Sequence, residues 1–82
     1  MNFSDALEAV KSGAKIYREE WNGKGLWLEL HKSRGTVDLP YIELIYPVTG
    51  YGEPPYPNGA RVPWVPSQTD VLANDWLAEP IL

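Results

Sequence analysis

Two tryptophans sit beside polar groups of the kind that recognise a nucleotide. Trp64 lies in Pro63-Trp64-Val65-Pro66, directly ahead of Ser67-Gln68-Thr69-Asp70. Ser-x-x-Asp is the spacing of a capping box, in which side chains satisfy the backbone N–H groups that a helix start leaves over. A helix start also offers unpaired N–H groups and the positive end of a dipole, which suit a phosphate. Trp21 precedes Asn22-Gly23, and an indole at such a turn has little reason to be there unless it packs or binds. An indole face stacks a base at about 1–3 kcal/mol. Asp70 and Asp75 can accept hydrogen bonds from ribose hydroxyls, and Arg18, Lys24 or Arg61 can add positive charge for phosphates. Composition alone favours a plainer reading, with Trp64 in the core and Ser67 and Asp70 serving only as a cap.

The residues for catalysis are thin. The chain has one histidine, His31, and no cysteine. His31 falls on the polar face of a strand beside Lys32 and reads as solvated, with no second ligand at metal spacing. Glu19 and Glu20 are adjacent, so on a strand they point to opposite faces and make a poor acid/base pair. Ser4 and Ser67 read as helix caps rather than nucleophiles. Neither Gly-x-Gly-x-x-Gly nor a phosphate-binding P-loop occurs. The pattern points to a binding protein, not an enzyme, with no cofactor and no metal.

The elements that must position these residues read as α+β. Phe3, Ala6, Leu7 and Val10 form one apolar stripe at helical spacing, which predicts a helix over 3–12. Asn2 or Ser4 can cap it, and Gly13 can supply the left-handed stop. Lys15 to Arg18 is a short strand. Asn22-Gly23 is a strong hairpin signal. Residues 26–31 alternate, with Leu26, Leu28 and Leu30 facing one way and Trp27, Glu29 and His31 the other. Residues 32–38 make a polar turn, and 41–46 a further strand with Ile42, Leu44 and Tyr46 on one face. Residues 47–61 hold four prolines and three glycines, a loop of functional length or a tolerated insertion. Val62 to Val65 is a strand that Pro63 confines to an edge. A short helix is expected over 68–74 with Val71 and Leu72 inward, and a last strand after Asp75. The expected architecture is an N-terminal helix packed on a small antiparallel sheet.

Length and charge narrow the function. With 82 residues the chain makes one domain, 1–82, and a domain this size buries only about 60–65% of its unfolded surface. Four Trp, five Tyr and one Phe are a heavy aromatic load that can serve both a core and an interface. A homo-oligomer, dimer or tetramer, is therefore expected. A net charge of -4 argues against a DNA or RNA polymer as partner. No run of 18 apolar residues occurs to cross a membrane. The opening Met1-Asn2-Phe3-Ser4-Asp5 lacks the pattern of a secretory signal, so a cytoplasmic location is expected.

Four segments carry a resemblance: Asn2-Phe3-Ser4-Asp5-Ala6-Leu7, Trp21-Asn22-Gly23-Lys24-Gly25, Leu39-Pro40-Tyr41-Ile42, and the run from Val62 to Trp76. In these the chain resembles the type-two Thoeris anti-defence proteins of bacteriophages and prophages, over nearly its whole length and in the same order. The resemblance implies a role against Thoeris, a bacterial defence in which a Toll/interleukin-receptor sensor makes a cyclic ADP-ribose isomer that activates an effector. It implies a sponge that binds this signal, leaves it intact and keeps it from the effector. It implies homo-oligomers holding the ligand between subunits, with cyclic oligonucleotides taken up by some relatives at separate sites. The loop 47–61 is longer than in the shortest relatives, which bears on ligand choice.

The expected site lies where Trp21, Trp64 and the helix start at Ser67, Gln68 and Thr69 converge, across a subunit interface. Phe3 and Asn2 contribute, and the two indoles stack on adenine. Asp75 is the carboxylate for ribose, ahead of Asp70, which the capping box occupies. The alternatives are a sponge for cyclic oligonucleotide signals, an enzyme that cleaves the signal, and a protein–protein inhibitor of a host defence factor.

Overall fold

The computed structural model describes residues 1–21, 25–31, 39–46 and 59–80. The expected Asn22-Gly23 hairpin, the polar turn 32–38 and the loop from 47 to 58 lie outside them. The chain runs α1 (Phe3–Lys11), β1 (Lys15–Arg18), a 3₁₀ turn (Glu19–Trp21), β2 (Trp27–His31), β3 (Tyr41–Ile45), β4 (Arg61–Pro63), α2 (Gln68–Leu72) and β5 (Trp76–Glu79). This is the expected α+β architecture. The five strands form one antiparallel sheet in the order β4-β3-β2-β1-β5. Strands β1 to β4 follow one another across the sheet, and β5 returns to pair with β1 on the far edge. Pro63 sits on the edge strand β4, where its missing N–H costs no ladder bond.

Both ends of α1 are closed by local chemistry. Asn2 Oδ1 accepts the Asp5 N–H at 2.9 Å, so Asn2 is the cap and not Ser4. At the other end Gly13 takes φ +103°. The Ala14 N–H then reaches the Ala9 carbonyl and the Gly13 N–H the Val10 carbonyl, each at 3.1 Å. These are the paired bonds of a Schellman motif, and they turn the chain directly into β1.

Strand register decides which side of the sheet α1 covers. Ile16 stands opposite Leu28 and Ala78, Leu28 opposite Leu44, Leu44 opposite Val62, and Leu30 opposite Ile42. Because side chains alternate along a strand, all of these share one face. Ala6 and Val10 of α1 pack there, and with Ile16, Leu28 and Trp76 they are fully buried. Lys15, Tyr17, Trp27, Glu29, His31, Glu43, Arg61 and Glu79 belong to the opposite face by the same parity.

Three expectations need correction. The second helix stops at Leu72, because Ala73 turns extended (ψ 154°) and delivers Trp76 to the edge of the sheet. Val71 and Leu72 do not face inward; they are 39% and 75% exposed. Asp70, which reaches Arg18, points inward instead, and Ala73, just past the helix end, packs on the core. Glu19 and Glu20 are not on a strand; they form the 3₁₀ turn that carries Trp21.

Candidate functional site

Trp76 is the centre of an aromatic cluster that gathers the N-terminus, the 3₁₀ turn and the approach to α2. It is fully buried. Around it stand Phe3 with ring centroids at 5.4 Å, Trp21 at 5.5 Å and Trp64 at 6.0 Å. Phe3 also meets Trp64 at 5.9 Å. The planes of Trp21 and Trp64 are turned 77° and 84° from that of Trp76, the edge-to-face arrangement that aromatic quadrupoles favour. The Trp76 indole N–H donates to the Asp70 carbonyl at 2.9 Å, which satisfies its polar end. Phe3, Trp21 and Trp64 are only half-buried, so each keeps surface for a further partner.

The expected site residues thus meet in part. Phe3, Trp21 and Trp64 come together through Trp76. Asn2 lies beside them, with its carboxamide oxygen occupied as the α1 cap. Ser67, Gln68 and Thr69 are exposed at the start of α2. Ser67 Oγ accepts the Asp70 N–H at 3.1 Å, but the capping box is not closed in the expected way. The Asp70 carboxylate turns to Arg18 Nη1 at 2.7 Å. With five residues, α2 also has too few aligned peptides for a large dipole, so its exposed donors matter more than its axis.

Asp75 is drawn into the same cluster of charges. Its Oδ1 accepts from Arg18 Nε at 2.8 Å and its Oδ2 from the Glu20 N–H at 3.1 Å. The Arg18 bond holds the Asp75 carboxyl below the usual carboxylate range against the opposing effect of burial, and the Glu20 N–H adds to it. Each oxygen keeps a second lone pair that can accept a hydroxyl. Arg18 is 8% exposed and is also paired with Glu20 at 2.7 Å. The Asp75 and Asp70 bonds raise its pKa further. It is therefore not the free phosphate cation that the sequence suggested. Arg61, half exposed, is paired with Glu43 at 3.1 Å and Glu29 at 3.7 Å, and Lys24 lies outside the described residues.

Trp21 also borders an open groove of about 350 Å³, lined with Lys15, Tyr17, Gly25, Leu26, Trp27 and Glu79. Lys15 Nζ lies 5.3 Å from the Trp27 ring centroid, a cation–π distance, and 3.4 Å from Glu79. Tyr17 donates its hydroxyl to Glu79 at 2.6 Å. That bond lowers the Glu79 pKa and raises that of Tyr17.

His31 is not solvated as expected. Its Nδ1 lies 3.2 Å from Glu43 Oε1, and its ring stacks on Tyr41 with centroids at 4.4 Å. Among the described residues no group of three or more His, Asp or Glu could hold a metal ion. Among them, too, no helix is long and apolar enough to cross a membrane.

The sequence reading missed Trp76 as the organiser and Arg18 as a buried charge. A signal for Arg18 was present. Ile16 and Arg18 are two apart on one strand, so if Ile16 faces the core, Arg18 must as well.

A family model described as the Thoeris anti-defense 2-like domain matches residues 1–78. The chain is also 38% identical, over 89 aligned positions, to the Thoeris anti-defense 2 protein of Bacillus phage SP01, an alignment covering 93% of this chain and 91% of that protein.

Proposed function

The chain belongs to the Thoeris anti-defense 2-like family, and from that premise we propose that it is an anti-defence sponge. It binds a cyclic ADP-ribose-type signal, leaves the molecule intact and keeps it from the Thoeris effector in the bacterial cytoplasm. The observation that carries this reading is the half-exposed aromatic group of Phe3, Trp21 and Trp64 around Trp76, bordered by carboxylates and hydroxyls.

An adenine needs a flat aromatic face, and Trp21 and Trp64 provide two. Ribose hydroxyls need acceptors, and Asp75 has lone pairs to spare. Ser67, Gln68 and Thr69, with Asn2 nearby, supply donors for the phosphate or ribose. Sequestration needs only affinity, so none of these groups has to act as a nucleophile or a base. The protein works as a homo-oligomer, with the ligand held between subunits. Val65 at 86% and Leu72 at 75% exposure support this, since they leave apolar surface next to Trp64 and at the end of α2 that a second copy can cover.

The test is to incubate the protein with the product of an active Thoeris sensor, remove unbound material, denature the protein and weigh the released molecule by mass spectrometry. An unaltered signal at stoichiometric yield is expected. A hydrolysed product points to the enzyme reading, and no captured nucleotide points to a protein–protein inhibitor.

A further inference from the structure

We infer that Arg18 is the positioning residue of the candidate site, and that it acts by fastening the Trp21 turn to the Asp70–Trp76 segment without touching ligand. Its side chain is 9% exposed, and its Nε and Nη1 are held by three carboxylates from three places in the chain: Asp75, Asp70 and Glu20. One guanidinium so joins the end of β1, the 3₁₀ turn, α2 and the entry to β5. The planar fork of arginine suits this, because its donors point in fixed and different directions.

The connection is closed on both sides. The Asp75 carbonyl accepts the Glu19 N–H at 3.0 Å, and its Oδ2 accepts the Glu20 N–H. Trp21 is the next residue, and it leans on Trp76. Trp76 in turn donates to the carbonyl of Asp70, whose carboxylate is on Arg18. Trp21 and the exposed donors ahead of Asp70 are therefore fixed relative to each other through Arg18, although Trp21 and Ser67 lie 46 positions apart in the chain. Three carboxylates against one guanidinium leave surplus negative charge, which repels a phosphate from this spot. A pyrophosphate would have to strip the buried Arg18 from its three carboxylates to reach it.

Arg18→Lys tests this, because it keeps the charge and removes the fork. Hydrogen exchange is read first, without ligand. The Glu19, Glu20, Val71 and Ala73 amides are expected to exchange together, faster by about tenfold or more, while those of β2 and β3 keep their rates. Opening of one segment alone, or equal acceleration across the sheet, overturns the fastening. Ligand is read second, with linear ADP-ribose and with uncharged adenosine, at a temperature where the variant is folded. A positioning role lowers both affinities by the same factor, about tenfold, and leaves their salt dependence unchanged. A loss confined to ADP-ribose makes Arg18 a phosphate contact, and unchanged affinity for both makes it a structural residue only; either overturns the inference. The ligand part rests on the nucleotide-binding reading. Failure of the wild-type protein to bind either probe counts against that reading, while the exchange measurement decides the fastening independently.

Discussion

Trp21 meets Trp76 edge-on, with ring centroids 5.5 Å and planes 77° apart. The relation separates two roles that look alike in the sequence. Trp76 is fully buried and hydrogen-bonded, so it is the foundation. Trp21 is half-buried and rests on it. Trp76→Ala is expected to cost about 3–5 kcal/mol of stability, the range for an aromatic removed from a core. Trp21→Ala gives up one aromatic pair, about 0.5–1.5 kcal/mol beyond area burial. Its larger effect is expected on ligand affinity, about one to two powers of ten for the lost stacking face. Denaturant titration beside calorimetric binding checks the division. If Trp21→Ala is the more destabilising change, the roles are reversed.

Stability should fall at both ends of the pH scale, for different residues. Asp75 and Glu79 have lowered pKa values, chiefly through their bonds from Arg18 and Tyr17. A group whose folded pKa is depressed stabilises above its unfolded value, and that stability is lost as pH falls through the folded value. Tyr17 has a raised pKa because its hydroxyl donates to Glu79. Its contribution is present below the unfolded value near 10.0 and is lost as pH rises through the folded one. Denaturant midpoints measured across pH are expected to drop in acid and again above the ordinary tyrosine range. Tyr17→Phe should remove its share of the alkaline drop. A variant that keeps the full alkaline drop assigns it to another group.

Gly13 is expected to resist replacement for a backbone reason alone. A Cβ there would meet nothing within 4 Å, yet φ is +103°. Gly13→Ala should therefore destabilise by about 1–2 kcal/mol, the cost of a left-handed backbone for a residue with a Cβ. Any gain in thermal midpoint would show that the turn relaxes to another conformation.

Much of the fold was legible because local signals and tertiary packing agree. The stripe from Phe3 to Val10, the Gly13 stop and the alternation of Leu28 and Leu30 each predict their element and its buried side. The helix from Gln68 was readable at its start, where Ser67 caps it, and misread at its inner face. Sequence pattern assigns Val71 and Leu72 inward on hydrophobicity, whereas the pairing of Asp70 with Arg18 turns the helix the other way. That pairing spans 52 residues, and no local spacing announces it. The same holds for His31, whose partner Glu43 is on the neighbouring strand. In the candidate site the half-buried rings Phe3, Trp21 and Trp64 were legible as aromatics near turns and a terminus. The buried ring that gathers them was not, because burial of Trp76 depends on β5 pairing with β1 across nearly the whole chain.

Val65, next to Trp64, and Leu72, at the end of α2, are 86% and 75% exposed. Large apolar side chains left exposed beside an aromatic cluster mark a surface that association covers, particularly in a domain with so small a core. A charge on either side chain costs a monomer almost nothing, because the side chain already stands in water. In a covered interface a charge stays buried without a partner and costs several kcal/mol. Val65→Glu and Leu72→Glu are therefore expected to shift the protein from oligomer to monomer in light scattering at micromolar concentration. The far-ultraviolet circular dichroism spectrum should stay unchanged. If the ligand is held between subunits, affinity for the nucleotide should fall in step with the loss of oligomer and recover when protein concentration is raised. Variants that assemble as the wild type does would place the contact between copies elsewhere on the sheet, and dissociation with full affinity would put the ligand within one subunit.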